Sequence, residues 1–94
     1  MTKNKDIKLR QVTSIEHWDD NGAFFNSLID KIQQGESKYA VEMLKTLPKS
    51  NLDPISYGDI LHMAEENNET IVYDDFNYLL AANDDIMVLY QRVK

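Results

Sequence analysis

The chain has 94 residues, 43% of them apolar, no cysteine and a formal net charge of −6. That length holds one domain and excludes a two-domain enzyme, a nucleotide-binding α/β sheet or a barrel. The missing cysteine excludes disulfide scaffolds, thiolate zinc sites and cysteine nucleophiles. The apolar runs are too short to span a membrane and the N-terminus lacks the apolar stretch of a secretory signal, which together predict a soluble, cytoplasmic protein.

Residues 1–6 are polar and expected to fray. Ile7, Leu9, Val12 and Ile15, with β-branched Val12 and Thr13, predict a short strand or extended arm, although the 9, 12, 15 spacing also suits a helix. Asp19-Asp20-Asn21-Gly22 is a turn and helix-start signal. Phe24, Phe25, Leu28, Ile29 and Ile32 then form one helical stripe that Gly35 ends. Ser37 is expected to cap a second helix bearing Tyr39, Ala40, Met43, Leu44 and Leu47, stopped by Pro48.

Asp53-Pro54 reads as the start of a third helix, carrying Ile55, Tyr57, Ile60, Leu61 and Ala64 and ending at Asn67-Asn68. Gly58 weakens that helix by about 1 kcal/mol relative to alanine and suggests a close helix crossing. Ile71-Val72-Tyr73 reads as an extended link, after which Asp74 or Asp75 caps a fourth helix with Phe76, Leu79 and Leu80. The positions Phe76, Leu79, Asn83, Ile86, Tyr90 and Val93 recur roughly every 3.5 residues, as in one long helix. Alternatively, Asn83-Asp84-Asp85 is a turn before a strand from Ile86 to Val93 that pairs with Ile7–Val12. The predicted fold is therefore mainly α: a small four-helix single domain over 1–94 with an extended N-terminal arm. The alternative is α+β, with a two-stranded sheet pairing the N- and C-terminal segments.

Charge is unevenly distributed. Residues 1–22 balance to zero and residues 23–50 carry +1, whereas residues 51–94 carry −7. From Asp53 to Gln91 there is no lysine or arginine. Such a run is either a solvated face that keeps a small domain soluble or a negative field for a basic partner. Both disfavour direct binding to DNA or RNA, because phosphate contacts need clustered cations.

Motifs for chemistry are weak. Asp59, His62 and Glu66 share a helix face, but one histidine with carboxylates is a solvated polar face before it is a metal site. His17, beside Trp18, is expected to anchor the approach to the first helix. The stretch Glu65–Phe76 fails as a calcium loop: Ala64 would be the first ligand and Glu69 would occupy the position that requires glycine. The three glycines stand alone, no Gly-x-Ser-x-Gly occurs, and adjacent carboxylates point apart on a helix. A helix-turn-helix over 37–66 would bring acids to the phosphates. No catalytic residue, metal or cofactor is predicted. Tyr73 and Tyr78 stand among acids, and tyrosine supplies contact area and cation–π partners at interfaces.

These features predict a non-enzymatic protein-binding module or inhibitor whose acidic face, 53–85, engages a basic partner protein, in the sharpest version one whose nucleic-acid site it occupies. An anti-defence, antitoxin or immunity protein would work this way, and the composition suits a small phage or bacterial accessory protein. The expected contact residues are Asp59, Glu65, Glu66, Glu69, Tyr73, Asp74, Asp75 and Tyr78. The alternative is a structural subunit forming a homo-oligomer through the apolar stripe Phe76–Val93, its charge serving only solubility.

Overall fold

A computed structural model describes residues 7–17, 22–50 and 52–93. The expectations for residues 1–6, for Trp18 and for the Asp19-Asp20-Asn21 turn fall outside them. The elements run β1 (Lys8–Glu16), α1 (Gly22–Gln33), α2 (Ser37–Leu44), β2 (Ile55–Ser56), α3 (Tyr57–Glu66), β3 (Thr70–Asp74), β4 (Tyr78–Ala82) and β5 (Ile86–Arg92). The strands form one antiparallel sheet in the order β2-β1-β5-β4-β3.

The fold is therefore α+β, and the mainly helical four-helix expectation is incorrect. The segment expected to be the fourth helix is strand β4, and the sequence after Asn83-Asp84-Asp85 is strand β5. Pairing of the N- and C-terminal segments is present, with Leu9 opposite Arg92 and Glu16 opposite Ile86, but inside a five-stranded sheet rather than a two-stranded one. Leu79–Ala82 and Met87–Tyr90 are buried at every position. Side chains alternate between faces along a strand, so continuous burial means that both faces are covered. Leu80, Ala82, Met87 and Leu89 pack with Phe25, Leu28, Val41 and Leu44 of α1 and α2. Leu79, Ala81, Val88 and Tyr90 pack with Ile60 and Ala64 of α3.

Two bulges adjust the edges. The register slips between Gln11 and Thr13 and again between Ile71 and Tyr73. Each slip shifts the alternation of its strand by one residue, so Leu9 and Ile71 join the α3 cluster while Val12, Ile15, Val72 and Tyr73 join the other.

The helix ends follow local chemistry. Gly35 adopts φ +81° and lets the Glu36 N–H reach the Lys31 carbonyl at 2.8 Å, closing α1. Asn68, at φ 59°, does the same for α3 through Glu69 N–H to the Ala64 carbonyl at 2.7 Å. Two helix starts differ from expectation. Ser37 lies inside α2, whose N-cap is Glu36 with no side-chain capping bond. Asp53-Pro54 precedes β2, and Ser56 caps α3 by accepting the Asp59 N–H at 3.1 Å. Gly58 faces open space, so no helix crossing occurs there.

Leu79 and Leu80 are neighbours on opposite faces, both fully buried. Truncating either to alanine is expected to cost about 2–5 kcal/mol in urea unfolding. A cost within about 0.5 kcal/mol for one of the two would mean that its face is not covered.

Candidate functional site

Helix α3 buries Ile60 and Ala64 against the sheet and turns Asp59, His62, Glu65 and Glu66 to solvent. His62 Nε2 lies 3.1 Å from Glu66 Oε2, with both side chains largely exposed. Asp59 occupies the first turn, where a carboxylate complements the helix dipole. Leu61 and Met63 are 37% and 40% exposed, so apolar surface lies between the acids. Glu69 follows α3 half-buried, and that burial pushes its carboxyl above the usual range. Tyr90 is raised by its own burial and then by the charge of Glu69.

The acids of the β3–β4 hairpin have structural partners. Asp74 Oδ2 accepts the Tyr57 hydroxyl at 2.9 Å, and Asp74 Oδ1 accepts the Phe76 N–H at 3.3 Å. Burial raises the Tyr57 pKa first, and its bond to Asp74 adds to the shift. Asp75 Oδ1 accepts the N–H groups of Asn77 and Tyr78 at 3.0 and 2.8 Å, and Oδ2 accepts the Tyr73 hydroxyl at 2.7 Å. Desolvation pushes the Asp75 pKa up, but these bonds and the nearby Lys38 charge outweigh it and hold the carboxyl below its ordinary value. Phe76 takes φ +81° at the turn, and the Arg92 guanidinium stacks 3.8 Å from its ring centre. Asn83 closes the β4–β5 turn in the same manner, its Oδ1 accepting the N–H groups of Asp85 and Ile86.

The eight expected contact residues therefore do not share one face. Asp59, Glu65, Glu66 and Glu69 belong to α3 and its exit, and Asp74 joins that side through Tyr57. Tyr73 and Tyr78 pack on the α1/α2 cluster, with Lys45 Nζ 4.6 Å from the Tyr78 ring centre. Asp75 is held at the hairpin by Tyr73. The apolar stripe Phe76–Val93 is not a helix surface: Leu79 and Tyr90 are buried in the sheet. Phe76, 60% exposed, sits at the turn beneath Arg92.

Cations collect on the other layer. Lys31 lies 3.8 Å from Glu36 and 4.9 Å from the Tyr39 ring centre, Lys45 lies 3.1 Å from Glu42, and Lys49 Nζ donates to the Lys45 carbonyl at 3.1 Å. Arg10 and Lys49 border a polar cleft of about 310 Å³ between β1, β5 and the loop after α2. A second groove of about 290 Å³ runs between α1 and β3, with Ile29, Ile32, Val72 and Ala82 in its lining. Sequence reasoning missed this groove; the β-branched run Ile71-Val72 signalled an extended segment but not that it forms a sheet edge. His17 makes an edge contact with Phe25, ring centres 5.9 Å apart, at the approach to α1. Among the described residues, no group of three or more histidine, aspartate or glutamate side chains converges as a metal site would require. Among the described residues, no helix is long and apolar enough to cross a membrane. Comparison of the chain with family models, curated proteins and solved structures finds no match.

Asp75 and Glu69 carry opposite pH signatures. A depressed carboxyl contributes stability above its unfolded pKa of about 3.9 and loses it as pH falls through the folded value. Asp75→Asn is thus expected to destabilise the domain at about pH 7 and less so at about pH 3. A raised carboxyl costs stability that grows as pH rises past its unfolded pKa of about 4.3 and is complete above the folded value, so Glu69→Gln is expected to stabilise at about pH 7 and to have no charge effect at about pH 3. Urea unfolding at both pH values checks this; effects of one sign, or independent of pH, would contradict it.

Proposed function

We propose that the chain is a non-enzymatic, cytoplasmic binding protein that docks the acidic α3 layer onto a basic surface of a partner protein. The observation that carries this reading is the segregation of charge between the two faces of the sheet. Asp59, Glu65, Glu66, Glu69 and Asp74 lie on the α3 side. Among the described residues, the side-chain partner that an acid finds on α3 itself is His62, 3.1 Å from Glu66. Among the described residues, Arg92 is the arginine of this side, and Phe76 engages it at the margin. The lysines of the opposite layer lie beside Glu36 and Glu42.

A field of one sign raises the encounter rate with an oppositely charged surface and rejects like-charged ones. Leu61 and Met63 supply the apolar contact that an interface core needs between charged groups. In its sharpest form the protein is an inhibitor that places carboxylates where a nucleic acid would place phosphates, as an anti-defence, antitoxin or immunity protein would. The contact set narrows to Asp59, Glu65, Glu66, Glu69 and Asp74, because Tyr73 and Tyr78 pack on the α1/α2 cluster and Asp75 is tied to Tyr73 there.

The test is capture by tagged protein from nuclease-treated cell lysate at low and high salt, beside the triple variant Asp59→Lys, Glu65→Lys, Glu66→Lys. All three positions are exposed, so the variant is expected to keep its circular dichroism spectrum. Wild type is expected to retain a basic protein that high salt releases, and the variant to lose at least about nine-tenths of that capture. Capture indifferent to both salt and charge reversal would contradict the reading.

A further inference from the structure

Among the described residues, strand β3 has one sheet neighbour, β4, and its other edge is unpaired. Hydrogen-bond parity shows which of its backbone groups face outward. Asp75 N–H donates to the Tyr78 carbonyl at 3.1 Å, so the next pair, Asp74 opposite Leu79, is a non-bonded pair. The N–H and C=O of Asp74 therefore point away from β4. At the other end, Asn83 N–H donates to the Ile86 carbonyl, which directs Ala81 toward β5 and leaves Ile71, opposite Ala81, facing outward as well. The Val72 bulge lies between these two positions. Two donors and two acceptors thus line an edge that no described segment covers.

The groove between α1 and β3 runs beside this edge. Ile29 and Ile32 form its helical wall, Val72 and Ala82 its sheet wall, and Asp84 is the one charged residue in its lining. Glu69 precedes the strand and Asp74 ends it. A strand added outside β3 would direct alternate side chains into this apolar groove and the others toward the α3 side, where Glu69 and Asp74 stand. A second copy fits poorly. Its own β3, Thr70–Asp74, carries no lysine or arginine to set beside Glu69 and Asp74.

We propose that β3 and its groove take up an extended segment of the partner as a sixth strand, with apolar residues alternating with lysine or arginine. This inference rests on the reading of the acidic layer as a surface for a basic partner and adds the mode of attachment. Backbone bonds to Ile71 and Asp74 fix the register, Ile29, Ile32 and Val72 take the apolar side chains, and Glu69 and Asp74 take the cations.

The probe is a capped synthetic peptide of about seven residues alternating lysine and valine, beside the same peptide N-methylated at the amides that would face β3. Both are titrated into the unaltered protein at low salt and followed by amide NMR. The expected result is saturable shifts at Ile71, Val72, Asp74 and Ile32, slowed hydrogen exchange at Ile71 and Asp74, and binding weakened about tenfold or more by methylation. Ile32→Lys is expected to weaken binding of the unmethylated peptide similarly. Equal binding of both peptides, with shifts confined to α3, would overturn the edge inference while leaving the acidic-surface reading standing. Absence of shifts at β3 overturns it too, and the salt-dependent capture above then judges the broader reading separately. A dimer in sedimentation whose β3 amides are protected without peptide would give the edge to a second copy and overturn the proposal.

Discussion

Strand β5 hydrogen-bonds to β1 along one edge and to β4 along the other, and its residues Met87–Tyr90 are buried without interruption. Met87 and Leu89 face α1 and α2, whereas Val88 and Tyr90 face α3. A strand in this position ties together the two ends of the described chain and separates two helical layers. The small domain gains two apolar clusters from one sheet, which suits a chain too short for a large single core.

That separation gives the surface its character. The α1/α2 layer derives from 23–50, where lysines and acids are interspersed. The α3 layer derives from the long stretch without lysine or arginine. A linear asymmetry of charge therefore becomes a difference between opposite sides of a sheet. Asp75 contributes less to the α3 field than its charge suggests, because it is tied to Tyr73 on the other side of the sheet and lies near the Lys38 charge. Mutual repulsion among the α3 acids works against stability, and the raised carboxyl of Glu69 is one local sign of the cost of burying an acid there. An acidic, partly apolar layer beside an uncovered strand edge is a surface that a basic extended segment complements.

The sequence made α1 legible because Phe24, Phe25, Leu28, Ile29 and Ile32 face a single layer and Gly35 ends the helix. It made α3 legible from Ile60, Ala64 and the Asn67-Asn68 stop. It misled at Leu79-Leu80-Ala81-Ala82. Those residues are strong helix formers, and burial on both faces removes the alternation that identifies a half-buried strand. Asp74 and Asp75 resembled helix caps because an aspartate that accepts backbone N–H groups does so equally in a hairpin turn. The roughly 3.5-residue spacing from Phe76 to Val93 arose across two strands and a turn, where helical periodicity has no meaning. Of the candidate site, the acidic run was legible. Its division between the two sides of the sheet depends on long-range pairing that no local pattern encodes.

The two-layer architecture depends most on β5 lying between two partners, and native-state amide hydrogen exchange tests that directly. Along β5 successive amides point alternately to β4 and to β1. With both neighbours in place, Met87, Val88, Leu89 and Tyr90 should all exchange slowly, at rates set by global unfolding. Protection at alternate residues only, with the others exchanging as freely as loop amides, would make β5 an edge strand and remove the division into two layers.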